Sequence, residues 1–231
     1  MSNGKTVLLI GASRGLGLGL AGELAQRGWQ VIATVRDPAR ATALTELAQR
    51  TGRIEIEKLD VDDVGQLEAL AARIANRRLQ LLFVNAGIAG PRDQSVADLA
   101  RTDLAHVMWT NALSPVRIAG RLLPQVVAGG TVAFMSSALG SITENTSGGF
   151  ELYRISKASL NMLARGFAAT TAKDKDLRVL NLHPGWVRTD MGGPQAPLSV
   201  EDSVRGLADV LETRRNAGHR YLDYQGRELP W

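Results

Sequence analysis

Short β-branched runs alternate with longer amphipathic stretches from one end of the chain to the other, and that alternation restricts the fold more than any other property. The runs fall at 6–10, 30–35, 54–59, 81–84, 131–135, 178–182 and 220–223. The helical stretches fall at 15–27, 39–49, 64–77, 103–127, 151–172 and 200–212. Strands joined through helices lie parallel with right-handed crossovers, and their sheet is covered on both faces. Asp63, followed three residues later by Gln66, marks one helix start as a capping signal. At 231 residues, with no internal repeat, an α/β chain is routinely one unit.

Ligands of such sheets bind outside the carboxyl ends of the strands, so the residues after each run carry the functional reading. The first run is followed by Gly11-Ala12-Ser13-Arg14-Gly15-Leu16-Gly17. Glycines there let backbone amides at a helix N-terminus approach a pyrophosphate. Arg14 is a cation beside the positive end of a helix, a misplaced charge unless an anion joins it; a solvated arginine is the alternative. Arg36 follows the second run. An acidic residue at that point takes the ribose hydroxyls of NAD, whereas arginine accommodates a 2′-phosphate. Arg14 and Arg36 together favour NADP(H) over NAD(H), and Asp37, one place further on, keeps the second cofactor open. Asp60, followed by Val61, is placed to bond an adenine amino group; its alternative role is a helix cap, which Asp62 or Asp63 can also fill. Asn85-Ala86-Gly87 ends the fourth run with small residues that allow close approach of a cofactor.

Tyr153 and Lys157 stand four apart and share a helix face. A nearby ammonium lowers a tyrosine pKa from its usual value of about 10, which prepares the phenol to exchange a proton near neutral pH. The alternative is a pair of surface side chains. Composition removes competing chemistries. With no Cys there is no disulfide, thiolate or Cys-based metal site. His106, His183 and His219 lack ligand spacing, so no metal is expected. The net charge of +4 suits an anionic cofactor. The adjacent basic pairs, Arg77-Arg78 and Arg214-Arg215, sit at helix ends where cations suit the dipole, so no nucleic acid is expected. The early apolar run at 7–10 is far too short for a spanning helix or signal core. A cytoplasmic protein without a membrane partner is the expectation.

In this order, Gly11-x-x-x-Gly15-x-Gly17, Asn85-Ala86-Gly87, Asn111, the Ser136-Ser137 step, Tyr153-x-x-x-Lys157 and Pro184-Gly185 resemble the short-chain dehydrogenase/reductase family over essentially the whole length. The segment P-G-W-V-R-T-D-M-G-G-P-Q-A-P and the ending Y-L-D-Y-Q-G-R-E-L-P-W look like its C-factor-like carbonyl reductase subgroup. The resemblance implies one Rossmann-type domain over 1–231, an α/β fold whose seven-stranded, doubly wound parallel sheet has the order 3-2-1-4-5-6-7. It implies an NADP(H)-dependent oxidoreductase acting on a small-molecule carbonyl or alcohol. The roles it carries over are Tyr153 as proton donor, Ser137 as a hydrogen bond to the carbonyl oxygen, and Lys157 on the nicotinamide ribose. Asn111 would open its helix and hold a relay water. Pro184, Gly185, Val187 and Thr189 would cover the nicotinamide, the last two through its carboxamide.

Strand alternation lets only one of Ser136 and Ser137 face the cleft; Ser137 is chosen because it precedes Ala138-Leu139-Gly140. Ser137 and Tyr153 are sixteen residues apart, longer than the commonest family spacing. The extra residues fall in T-E-N-T-S-G-G-F, a polar loop of the kind that tolerates insertion and that is expected to line the substrate entrance. The resemblance also implies a homodimer or homotetramer paired through 103–127 and 151–172, although some relatives are monomers. A cofactor-binding signalling protein is the alternative, since the subgroup is associated with developmental signalling.

Overall fold

The computed structural model describes residues 4–213 and 216–231. The pair Arg214-Arg215 lies outside the described residues. Strands β1 (Thr6–Ile10), β2 (Gln30–Val35), β3 (Ile54–Lys58), β4 (Leu79–Val84), β5 (Val126–Met135), β6 (Arg178–His183) and β7 (Gly218–Asp223) form one sheet. Its order is 3-2-1-4-5-6-7 and every neighbouring pair is parallel. This is the Rossmann-type order that the family resemblance implies.

Successive strand residues point to opposite faces, so each strand feeds two apolar layers. Val7, Leu9, Ala33, Phe83 and Leu180 pack with α1 (Gly15–Gln26), α2 (Thr42–Thr51) and α7 (Val200–Glu212) through Leu20, Leu24, Leu44, Leu207 and Leu211. Leu8, Ile10, Leu82, Phe134 and Val179 pack on the other face with α3 (Val64–Arg73), α5 (Ser114–Leu122) and α6 (Glu151–Ala169) through Leu67, Leu70, Ile118, Leu122 and Leu160. Each valine, leucine, isoleucine or phenylalanine among them contributes roughly 1.5–3 kcal/mol when fully buried. The near-continuous apolar strands follow from burial on both faces. At the head of α3, Asp63 accepts from the Gln66 amide at 3.0 Å and from its side chain at 2.8 Å, the capping pattern expected there.

The stretch 103–127 departs from expectation, because it is not one helix. It divides into α4 (Arg101–Met108), a π-helical turn at Trp109–Leu113, α5, and a 3₁₀ turn at Leu123–Gln125, and its last two residues already belong to β5. Prolines account for the breaks. Pro115 has no N–H for the Asn111 carbonyl, and Pro124 cannot continue α5. The Ser114 amide instead bonds Trp109 five residues back, which bulges the helix at Asn111. The stretch expected at 39–49 likewise opens with a separate 3₁₀ turn at Pro38–Arg40.

Candidate active site

The order of strands reverses between β1 and β4, and the crevice there receives the loops that follow both. Gly11 has φ +86°, and a Cβ on it would lie 2.9 Å from Ala86. A Cβ on Gly17 would lie 2.0 Å from the Gly11 carbonyl oxygen and 2.7 Å from Asn85 Nδ2. Asn85 Nδ2 donates to that same carbonyl at 2.7 Å, which ties the two loops together. The head of α1 has no capping side chain on Arg14 and no acidic residue in its first turn, leaving its positive end for an anion. A glycine-lined cradle against a helix N-terminus fits a dinucleotide pyrophosphate. Ser13 is exposed at its rim, Leu16 is half-buried, and Gly15 lies beside Thr189.

The adenosine side has a charge pattern of its own. Arg36 is exposed at the end of β2. The Asp37 carboxylate is turned to its own chain, accepting from the Ala39 amide at 3.1 Å. The anion beside Arg14 is, in the protein itself, the carboxylate of Asp190. Both side chains are exposed, and such pairs contribute about 0–1 kcal/mol, too little to withhold Arg14 from a phosphate. Asp60 does not cap α3, since Asp63 does; it closes a turn by accepting from the Asp62 amide at 3.1 Å. Val61 is buried beside it, and its carbonyl accepts from Arg117 at 2.9 Å.

Across the cleft, the four residues picked out as a catalytic set come together. The π turn carries Asn111, fully buried, whose Oδ1 accepts from the Ile88 amide at 2.8 Å. Its Nδ2 donates to the Ile88 carbonyl at 2.8 Å and to Ser156 Oγ at 3.1 Å. A Cβ on Gly87 would sit 3.2 Å from Asn111 Oδ1 and 3.4 Å from Lys157 Nζ, so both groups lie against this glycine. Lys157 is buried and donates to the Met135 carbonyl at 3.0 Å, with Nζ 5.5 Å from the Tyr153 ring centroid. Tyr153 is half-buried and its hydroxyl lies close enough to the Ser137 side chain to interact with it. Ser136 points elsewhere, donating to Asn161 Oδ1 at 2.7 Å.

One electrostatic expectation is reversed. The Tyr153 phenol is not lowered: burial pushes it up to about 12, and the nearby Ser137 side chain only partly opposes this. Burial also brings Lys157 down to about 8. Removing a charge from water costs more than these neighbours return, and the Lys157 ammonium is engaged with a carbonyl. Tyr153 is therefore protonated across the neutral range, and Lys157 titrates near it.

After β6, Gly185 has φ +83° and a Cβ on it would lie 2.8 Å from Leu198, so the loop turns tightly. Pro184 is buried and its carbonyl accepts from Ser203 at 2.6 Å. Val187 is buried and bridges Leu198, and Thr189 Oγ1 accepts from the Gly192 amide at 3.1 Å.

Two supporting residues escaped the sequence reading. Gln94 is buried; its Nε2 donates to the Ala89 and Pro91 carbonyls, each at 3.0 Å, and its Oε1 accepts from the Tyr153 amide at 2.9 Å. It thus fixes the head of α6 against the loop after β4. Arg154 is buried too, and its guanidinium donates to the Gly149 carbonyl at 2.8 Å, the Gly148 carbonyl at 3.1 Å and Ser147 Oγ at 3.1 Å. The only local signal for Arg154 was its place beside Tyr153; Gln94 had none. Among the described residues no cluster of three or more acidic or histidine side chains could hold a metal, and no helix is long and apolar enough to cross a membrane.

A family profile described as short chain dehydrogenase matches residues 5–197. A short-chain dehydrogenase/reductase of Burkholderia multivorans, crystallised with bound NADP, is 46% identical with a TM-score of 0.94, covering 98% of this chain and 99% of its own. A carbonyl reductase of Pseudomonas aeruginosa PAO1 in complex with NADP is 42% identical with a TM-score of 0.90, covering 99% of this chain and 100% of its own. The C-signal of Myxococcus xanthus is 40% identical over 169 residues, 71% of this chain and 100% of that one.

Proposed function

The chain belongs to the short chain dehydrogenase family, and on that premise we propose that it reduces a small-molecule ketone or aldehyde to an alcohol with NADP(H), or runs the reverse. The observation that carries this reading is the gathering of Tyr153 beside Ser137 and Lys157, with Lys157 and Asn111 both against Gly87 of the loop after β4. Bound NADPH supplies the hydride, and the protein supplies position and proton. The residues to hold it are the amides of the Gly11–Gly17 loop at the pyrophosphate, Arg36 with Arg14 at the 2′-phosphate, and Asp60 and Val61 at the adenine. Asn85, Ala86, Gly87 and Lys157 take the nicotinamide ribose side, and Pro184, Gly185, Val187 and Thr189 take the carboxamide.

Ser137 and Tyr153 both hydrogen-bond the carbonyl oxygen, a pair of donors aimed at the charge that develops there; losing one such donor costs about 10²–10³ in rate. The Tyr153 proton passes to that oxygen as the carbon becomes a carbinol. Lys157 then restores the proton, drawing on solvent through a water held by Asn111. The loops that follow β5 and β6 expose Ile142, Phe150, Trp186 and Met191, an apolar rim that suits a carbonyl with an apolar substituent. Exposed Trp109, Leu113, Ile155 and Met162 on the π turn and α6 support pairing of two copies through these helices.

NADPH consumption against a panel of ketones tests the reading. Tyr153→Phe should lose about 10²–10⁴ in kcat while NADPH still binds; retention of more than about a tenth of the activity would remove Tyr153 as the acid. A second reading, a cofactor-binding signalling protein, is favoured by the likeness to the C-signal. It predicts NADPH binding without turnover of any ketone.

A further inference from the structure

The last strand brings a second tyrosine up behind the candidate catalytic serine. Tyr221 pairs with Asn181 in the register of β6 and β7, which places it on the α6 face of the sheet. It is 2% exposed, and its hydroxyl donates to the backbone carbonyl of Ser137. The same carbonyl accepts from the Gly140 amide at 2.8 Å, so the peptide that carries Ser137 is held from two sides. Asn161, which accepts from Ser136 at 2.7 Å, also donates to the Gly140 carbonyl at 3.2 Å. A phenylalanine at 221 would fill the same core volume. The hydroxyl is what reaches the Ser136-Ser137 step.

Tyr221 is in turn braced by Trp231. Their rings stack with centroids 5.1 Å apart at 28°, and Trp231 also lies against His219 at 4.8 Å. The backbone oxygen of Trp231 accepts from Thr143 twice, from its amide at 3.1 Å and its hydroxyl at 2.8 Å. Thr143 belongs to the loop between Ser137 and Tyr153, the other end of which Arg154 pins at Gly148 and Gly149. The segment that brings Trp231 into place is folded back by Asp223. Its Oδ1 accepts from the Gln225 and Arg227 amides at 2.9 Å each, its Oδ2 from Arg227 Nε at 2.6 Å, and the Leu229 amide returns to the Tyr221 carbonyl at 2.9 Å.

We propose that Tyr221 is a positioning residue that sets the aim of the Ser137 hydroxyl, and that Trp231 couples it to the loop at 141–150, so that one strap governs both the carbonyl-binding donor and the substrate entrance. The proposal rests on the reading of Ser137 as that donor. A reacting group misplaced by about 1 Å can cost about 10²-fold, and a site holds its geometry only when the groups behind it are locked by packing and hydrogen bonds. The Ser137 peptide is locked by a buried hydroxyl, and that hydroxyl by an aromatic stack.

Tyr221→Phe should lower kcat for ketone reduction about tenfold, with KM and the NADPH Kd within about twofold of wild type. Trp231→Ala should raise KM about fivefold or more, most for bulky ketones, because the entrance loop loosens; Trp231→Phe, which keeps the stack, should restore it. Hydrogen exchange of the Thr143 amide reads the strap without turnover, and should quicken about tenfold or more in Trp231→Ala and stay slow in Trp231→Phe. An unchanged kcat in Tyr221→Phe would overturn the proposal. So would a fall in NADPH affinity parallel to kcat, which would assign Tyr221 to folding alone, or an unchanged Thr143 exchange rate in Trp231→Ala. Should the wild type reduce no carbonyl, the function proposed above fails, and the Thr143 exchange decides the strap by itself.

Discussion

At the scale of single residues, charge carries the proposed cofactor choice and the proposed proton transfer. Arg36 stands free at the end of β2 while Asp37 is spent on the Ala39 amide. Arg36→Ala should therefore weaken NADPH binding about tenfold or more, as expected for a lost charge-assisted bond, and leave NADH binding nearly unchanged. Equal losses in a fluorescence titration would remove Arg36 from the phosphate site. Lys157 is held down to about 8, so its ammonium is present below that value and lost as pH rises through it. If it resupplies the proton, kcat for reduction should be level below pH 8 and fall about tenfold per unit above; a profile flat to pH 10 would contradict this. Of the four candidate residues, Tyr153 and Lys157 were legible from their helical spacing, whereas Asn111 and Ser137 were named through the family resemblance. Gln94, Arg154 and Tyr221 were not legible: Gln94 and Tyr221 reach Tyr153 and Ser137 across the fold, Arg154 grips an irregular loop just before it, and hydropathy periodicity carries no trace of either. The reversed Tyr153 shift has the same origin, since its depth of burial is not written in the spacing of Tyr153 and Lys157.

At the scale of elements, the break in the helix before β5 is where local pattern and structure part. Apolar spacing runs on through α4 and α5, so the stretch reads as one helix, while a π turn advances the phase by one residue. Pro115 was the available signal: it leaves the Asn111 carbonyl without its helical donor. The bulge turns Asn111 inward, where its amide satisfies the N–H and C=O of Ile88. Asn111→Leu should leave both half-buried groups unpaired, each at less than the roughly 1–3 kcal/mol of a fully buried group, and should lower kcat as well. Denaturant unfolding checks the first effect; a variant as stable as wild type would show that the π turn does not depend on this side chain. The opposite lesson comes from β1, whose residues Val7 and Leu9 feed one layer and Leu8 and Ile10 the other. Burial on both faces erased their alternation, yet the run bounded by Gly11 was still unmistakable as a strand.

At the scale of the whole molecule, the parallel order 3-2-1-4-5-6-7 puts the loops after β1, β4, β5 and β6 at the carboxyl ends of the strands. The same arrangement leaves Met162 72% exposed and Ile155 40% exposed on the outer side of α6. If two copies pair through this face, Met162→Lys should convert a dimer to a monomer in size-exclusion chromatography with light scattering, without loss of NADPH binding. A wild type that runs as a monomer would refute pairing. The account as a whole stands on hydride delivery to a carbonyl placed between Ser137 and Tyr153, and deuterium tracing reads that event directly. With NADPH deuterated at C4 and a ketone that the protein consumes, the label should appear on the carbinol carbon of the product, and Tyr153→Phe should bind the nucleotide yet form almost no labelled alcohol. NADPH bound tightly by the wild type with no label reaching any ketone would contradict the account.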